Sequence, residues 1–230
     1  VKVTAKGDGS YSGERTVKFT LVKATPAAGR DFVVTLPSSL VYDGTQKSVT
    51  CSSSAGLTAD EIGYAKGLPD GSFDRPAAEA PTEPGTYKVN VIIKPTELYN
   101  GYNDCAATFT IEKAGVEFKY TIPFKNFYGY EEDKKIAGRV LHANSIAANA
   151  KAPTGQITVK YVVAGISSEH NESVDLKDDG SFEFDLPNTL TANTAHNFTV
   201  YYSGNVNYED KSDACHTVII TKSQLNSLNV

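Results

Sequence analysis

The chain contains no Met and no Trp, only four His and three Cys, and no long apolar run. Each shortage removes a class of function. The longest apolar runs, such as Tyr161 to Ala164, are a handful of residues, far short of the ~20 that a membrane-spanning helix requires. A net charge of −5, from 22 basic and 27 acidic residues, comes without any segregated basic stretch. Phosphate neutralisation needs such a stretch, so nucleic acid is not an expected partner. No Trp is available as a platform for sugar rings. No basic-then-apolar leader and no initiator Met open the chain, so it is expected to be a piece of a longer protein.

Catalytic and metal-binding patterns are also missing. His142, His170, His196 and His216 fall outside any spacing that puts two ligands on one face, and scattered surface histidines are expected. Gly7-Asp8-Gly9 with Gly13 misses the dinucleotide spacing and has no helix to receive a phosphate. There is no G-x-S-x-G elbow and no Walker loop. Cys51, Cys105 and Cys215 form no CxxC pair, and an odd count leaves at least one thiol free. Cys51 and Cys105 can bond only if their Cα atoms lie within ~7 Å; the alternative is two small buried hydrophobes. The expectation is a non-enzyme with no cofactor.

What the chain does contain is alternation of period two. Tyr87, Val89, Val91 and Ile93 alternate with polar residues, as do Ile157, Val159, Tyr161 and Val163. Phe182, Phe184 and Leu186 repeat the pattern, and so do Phe198, Val200 and Tyr202. Successive strand side chains face opposite sides, so each run predicts one buried and one wet face. The best helical stretch, Ser145 to Lys151, is short and stops at Pro153. Asp70-Gly71, Pro84-Gly85 and Asp179-Gly180 supply turns, and the segment from Val174 to Leu186 reads as the clearest hairpin. Regularly spaced short strands predict an all-β sandwich. In the middle stretch, Val89, Val91, Ile93, Phe109 and Ile111 are expected to bury against Phe32, Val34 and Val49. Tyr87 is placed to fold its hydroxyl back onto nearby backbone as a tyrosine corner.

The sequence also repeats itself. Residues 9–24, GSYSGERTVKFTLVKA, resemble 97–114, ELYNGYNDCAATFTIEKA, and more loosely 201–222. Tyr42-Asp43-Gly44 matches Tyr128-Gly129. The chain therefore divides into the last strands of one repeat (1–24), a whole repeat (25–114), a diverged whole repeat (115–222) and a polar end (223–230). The joins at Lys23-Ala24 and Lys113-Ala114 are too short for free tumbling, so a semi-rigid rod is expected.

Three segments of the middle repeat carry a resemblance: Leu40-Val41-Tyr42-Asp43-Gly44, Ala80-Pro81-Thr82-Glu83-Pro84-Gly85-Thr86-Tyr87, and Ala107 to Ala114. Together they resemble the MBG-type repeats of bacterial cell-surface proteins. The last repeat has Ala152-Pro153-Thr154-Gly155, Asp179-Gly180-Ser181-Phe182, and Tyr201-Tyr202-Ser203-Gly204-Asn205-Val206-Asn207-Tyr208. These are similar to the stations of another bacterial immunoglobulin-like repeat. The resemblance implies tandem immunoglobulin-like β-sandwiches, elongated and joined by very short linkers. It further implies an extracellular stalk, spacer or adhesin segment attached to a bacterial surface, with neighbouring repeats and a host or environmental glycan or protein as partners.

Two clusters have a binding reading beside a structural one. Asp175, Asp178 and Asp179 are candidate calcium ligands, or else a solvated turn that needs its Asp-Gly. Phe127, Tyr128, Tyr130 and Glu131, beside Phe124, are candidate sugar contacts, or else core and packing residues. The alternative to a stalk or adhesin segment is a carbohydrate-binding or accessory module of a secreted glycan-active protein.

Overall fold

The computed structural model describes residues 2–4, 14–121, 126–127, 135–145, 147–162, 169–187, 190–191 and 193–221, and among them there is no helix. Among the described residues the first two strands, β1 (Lys2–Thr4) and β2 (Glu14–Thr16), pair only with each other. Next come β3 (Val33–Thr35) and β4 (Thr50–Ser52), which form one small sheet. A second sheet holds β5 (Ala59–Lys66), β6 (Gly85–Ile93) and β7 (Tyr102–Ile111) in that order.

The rest of the chain contributes β8 (Val116–Thr121), β9 (Asn126–Phe127), β10 (Lys135–His142) and β11 (Gln156–Val162). It then adds β12 (Glu169–Asp175), β13 (Ser181–Asp185), β14 (Ala195–Tyr202) and β15 (Lys211–Thr221). One sheet runs β13-β10-β8 and the facing sheet β12-β11-β14-β15-β9. Ladders are antiparallel except β9 with β15.

Within the described residues the alternating runs bury the faces they were expected to bury, and Val163 lies outside those residues. Tyr87, Val89, Val91 and Ile93 of β6 face the core with Phe109 and Ile111 of β7, and Phe32 and Val49 close over them. Val34 is partly buried at the edge of the same cluster. In the last sandwich, Tyr161 of β11 reaches Phe184 of β13 at 6.3 Å between ring centres, which ties the two layers together. Burying one such side chain contributes ~1.5–3 kcal/mol, so alternation alone goes far toward fixing strand register. The Tyr87 hydroxyl donates to the Glu83 carbonyl at 2.8 Å, closing the tyrosine corner at Pro84-Gly85.

Two expectations are corrected. The Val174–Leu186 segment is not a hairpin ladder: its turn forms, with Lys177 N–H donating to Ser181 O at 2.9 Å, but β12 and β13 lie in opposite sheets. A local turn signal says that the chain reverses, not which strand it pairs with afterwards; Phe182 and Phe184 bring β13 beside β10. Nor does every histidine lie on the surface. His196 is buried, one alternation before Phe198, Val200 and Tyr202, and its Nε2 lies 2.9 Å from Thr191 O.

Candidate functional site

The most highly organised polar and aromatic constellation sits where the chain passes from β7 to β8. Val41 bridges Glu112 in parallel, with Tyr42 N–H donating to Glu112 O at 2.9 Å, so Tyr42-Asp43-Gly44 stands beside the end of β7. Gly44 has φ +74°, and a Cβ there would overlap the Asn149 carbonyl. Glycine is therefore needed twice, for the backbone conformation and for the close approach. Asp43 accepts from Thr45 N–H at 2.9 Å and pairs with the buried Lys47 ammonium at 2.7 Å. Burial alone would raise the Asp43 carboxyl, but the bonds from Lys47 and Thr45 together hold it below its ordinary value.

From the other side, Ala114 is fully buried and bridges Tyr208 in parallel. Ala114 N–H donates to Asn207 O at 2.9 Å, and Glu209 N–H donates to Ala114 O at 2.9 Å. Tyr208 packs edge-on to Tyr42 at 5.6 Å and to His142 at 5.7 Å, and its hydroxyl donates to Lys151 O at 2.5 Å. Burial, with Tyr42 and Tyr202 adding, pushes the Tyr208 phenol up. The Tyr42 hydroxyl accepts from Lys151 N–H at 3.3 Å.

His142 completes the joint. Its Nδ1 accepts from Asn144 N–H at 2.9 Å, so that nitrogen is unprotonated and Nε2–H donates to Tyr42 O at 2.9 Å. One hydrophobic cluster consequently runs through Tyr42, Ala114, Val116 and Tyr208 from one sandwich into the next.

The loop that presents Tyr208 explains why two sequence stations occur together. Asn205 Oδ1 accepts from Asn207 N–H and Tyr208 N–H at 2.8 and 2.9 Å, while its amide donates to Thr154 O at 3.3 Å. Tyr202 hydroxyl donates to the same Thr154 carbonyl at 2.9 Å. The Pro-Thr-Gly and Tyr-Ser-Gly-Asn segments are thus bonded to each other, with Gly204 at φ +72° making the turn.

The sequence-derived candidates among the described residues lie elsewhere. Asp175 accepts from Gln156 at 2.9 Å, Asp179 accepts from Ser181 N–H at 3.0 Å and pairs with Arg139, and Asp178 is exposed. Among the described residues no three His, Cys, Asp or Glu side chains converge as metal ligands. Tyr128, Tyr130 and Glu131 lie outside the described residues, as do Phe124, Gly7-Asp8-Gly9 and Gly13; of Phe127 only the backbone is described, opposite Thr221. His170 stacks on Tyr161 at 5.2 Å. Cys51 and Cys105 are free thiols, and burial raises that of Cys51.

A separate concavity of about 880 Å³ lies against β8, β10 and β13, lined by Phe118, Tyr120, Arg139, Leu141, Ser181 and Phe182 among others. Tyr120 hydroxyl donates to Asp213 at 2.7 Å beside it, and burial pushes that phenol well up.

The last sandwich sets its first, third and sixth strands against a sheet that ends in a short strand parallel to the final one. These are immunoglobulin-like β-sandwiches. In the middle immunoglobulin-like sandwich the Val41–Glu112 bridge takes the place that β9 holds beside β15. No protein-family model matches the chain, and no curated protein matches it. A crystal structure of the FN1-FN3 domains of chicken CNTN1 is similar at a TM-score of 0.33 with 9% identity, covering 86% of this chain and 67% of that chain.

The joint was partly legible. Tyr42-Asp43-Gly44 and Lys113-Ala114 stood out as repeated signals, but as a repeat start and a repeat end. That Tyr42 meets His142, 100 residues on, and that Tyr42 and Ala114 both meet Tyr208, is tertiary information.

Proposed function

We propose that the chain is a non-catalytic segment of a bacterial surface protein, in which immunoglobulin-like repeats act as a stalk, spacer or adhesin part outside the cell. In this reading residues 1–24 are the last strands of a preceding, incomplete repeat, 25–114 and 115–222 are an MBG-type repeat and a second bacterial immunoglobulin-like repeat, and 223–230 is a polar end. The partners are neighbouring repeats, then a host or environmental glycan or protein at the far end.

The observation that supports this is the closed joint. A spacer has to transmit orientation, and four residues between β7 and β8 with a buried Ala114 leave little room for hinge motion. Small-angle scattering with NMR residual dipolar couplings tests it. A single elongated shape and one shared alignment tensor are expected for the two sandwiches; independent tensors would refute the reading.

The 880 Å³ concavity favours one alternative, a carbohydrate-binding or accessory module of a secreted glycan-active protein. Thr121 and Ala137 line it, and the chain between them carries Phe127, Tyr128, Tyr130 and Glu131. Glycan-array binding lost on Tyr120→Ala and on Tyr130→Ala supports that alternative; no binding to any glycan removes it.

A further inference from the structure

The occupied joint has a counterpart at the opposite end of the middle sandwich. Ala24 bridges Tyr99 in parallel, as Ala114 bridges Tyr208. Ala24 N–H donates to Leu98 O at 2.9 Å and Asn100 N–H to Ala24 O at 2.8 Å, the same two bonds that Ala114 makes with Asn207 and Glu209. The receiving loops are built alike as well. Thr96 N–H donates to Tyr99 O at 3.0 Å, as Asn205 N–H does to Tyr208 O at 3.0 Å. Thr96 Oγ1 accepts from Leu98 N–H and Tyr99 N–H at 3.3 and 3.1 Å, the role of Asn205 Oδ1 in the other loop.

The two ends differ in what covers them. Tyr208 is 0% exposed and Ala114 is buried, whereas Tyr99 is half-buried, Ala24 is exposed and Leu98 is 71% exposed. Leu21 and Val22, on the chain leading into the bridge, are also exposed. Apolar side chains gathered at a pre-built loop are the mark of a contact surface.

We propose that Leu98, Tyr99 and Asn100 form a docking surface for a preceding immunoglobulin-like sandwich, whose last segment carries Leu21 and Val22 and which seats a Tyr-x-Gly turn on Tyr99 as Tyr42-Asp43-Gly44 meets Tyr208. The inference rests on the tandem-repeat reading and names the partner of this end. The partner is a sandwich joined in sequence ahead of Ala24, since linkage supplies a high effective concentration. A second copy of this chain is a poorer occupant, because its own Tyr42 turn is already held against Tyr208.

The test replaces residues 1–23 with a second copy of residues 25–113, which keeps the Lys-Ala junction. Amide hydrogen exchange then compares Ala24 and Asn100 with Ala114 and Glu209. Protection of Ala24 and Asn100 should rise at least tenfold over the native chain, and Gly44→Ala in the added copy should reverse the gain. No gain while Ala114 and Glu209 stay protected overturns the inference and leaves the stalk reading standing; loss of protection at Ala114 and Glu209 in the native chain counts against the stalk reading instead. Protection that appears in the native chain and vanishes on dilution assigns the surface to a second copy and overturns it too. Leu98→Asp keeps the test open should the fusion fail to fold: in the native chain it should leave the melting temperature unchanged, and a fall shows the site already engaged, contrary to the proposal.

Discussion

Residues 17–24 and 107–114 carry closely similar text, VKFTLVKA and ATFTIEKA, and meet opposite environments. Phe109 and Ile111 are 5% and 1% exposed, while Phe19 and Leu21 at the matching positions are 63% and 84% exposed. Residues 107–111 lie in β7, paired along β6, whereas residues 17–23 belong to no strand. Alternation is a capacity to be buried; only a facing layer realises it. The one feature the two segments share in space is the terminal Lys-Ala bridge, which depends on backbone hydrogen bonds and a receiving loop rather than on a core.

The largest expected break in that comparison comes from the buried member. Phe109→Ala should cost ~3–5 kcal/mol in denaturant unfolding, because it leaves a cavity between Tyr64 and Tyr87. Val91→Asp, which puts an unpaired charge at a fully buried position, should cost several kcal/mol as well; an unchanged melting curve for either would refute the assignment of the inner face. Phe19→Ala is the control and should stay within ~0.5 kcal/mol.

The joint comes next. Asp43→Asn weakens the partner of the buried Lys47 ammonium and should cost ~1.5–3 kcal/mol. The Asp43 carboxyl is held low in the folded state, so its contribution is present above the unfolded value near pH ~4 and is lost as pH falls through the lower folded value. Acid unfolding of D43N should therefore be flatter below pH ~4; parallel acid limbs for the two proteins would contradict this. Gly44→Ala should destabilise by ~1–3 kcal/mol and speed exchange of the Ala114 and Glu209 amides, while leaving the Ala24–Tyr99 bridge as it was.

The smallest effect is read at high pH. Burial pushes the phenols of Tyr161 and Tyr202 up to about 12, with Glu172 adding to the first. Their folded values exceed the unfolded ~10, so the stabilisation is present below pH ~10 and is lost as pH rises through about 12. Phenolate absorbance should show these tyrosines ionising only as β-sheet circular dichroism is lost; early ionisation with the sheet intact would contradict their burial.

The fold was largely legible in the residues, because period-two alternation and Gly turns are local. Tyr87 could even be assigned its corner, since its acceptor, Glu83, lies four residues away. Legibility ended where partners are distant. The Asp179-Gly180 turn was visible, but its passage from one sheet to the other was not. His196 looked like a surface residue because a lone histidine carries no periodic signal, although it extends the Phe198-Val200-Tyr202 face by one step. His142 was equally silent: its role depends on Tyr42 and Tyr208, one from each sandwich.

By itself, then, the amino-acid order determined which side chains can face inward, where the chain must turn, and that its text recurs. Those are short-range properties of pleat, φ and composition. The tertiary structure decided which copy of the repeated strand is covered, which turn crosses between layers, and that Tyr42, His142 and Tyr208 close on one another. Such outcomes depend on surfaces meeting across long loops, and free energy is gained only when both partners are present.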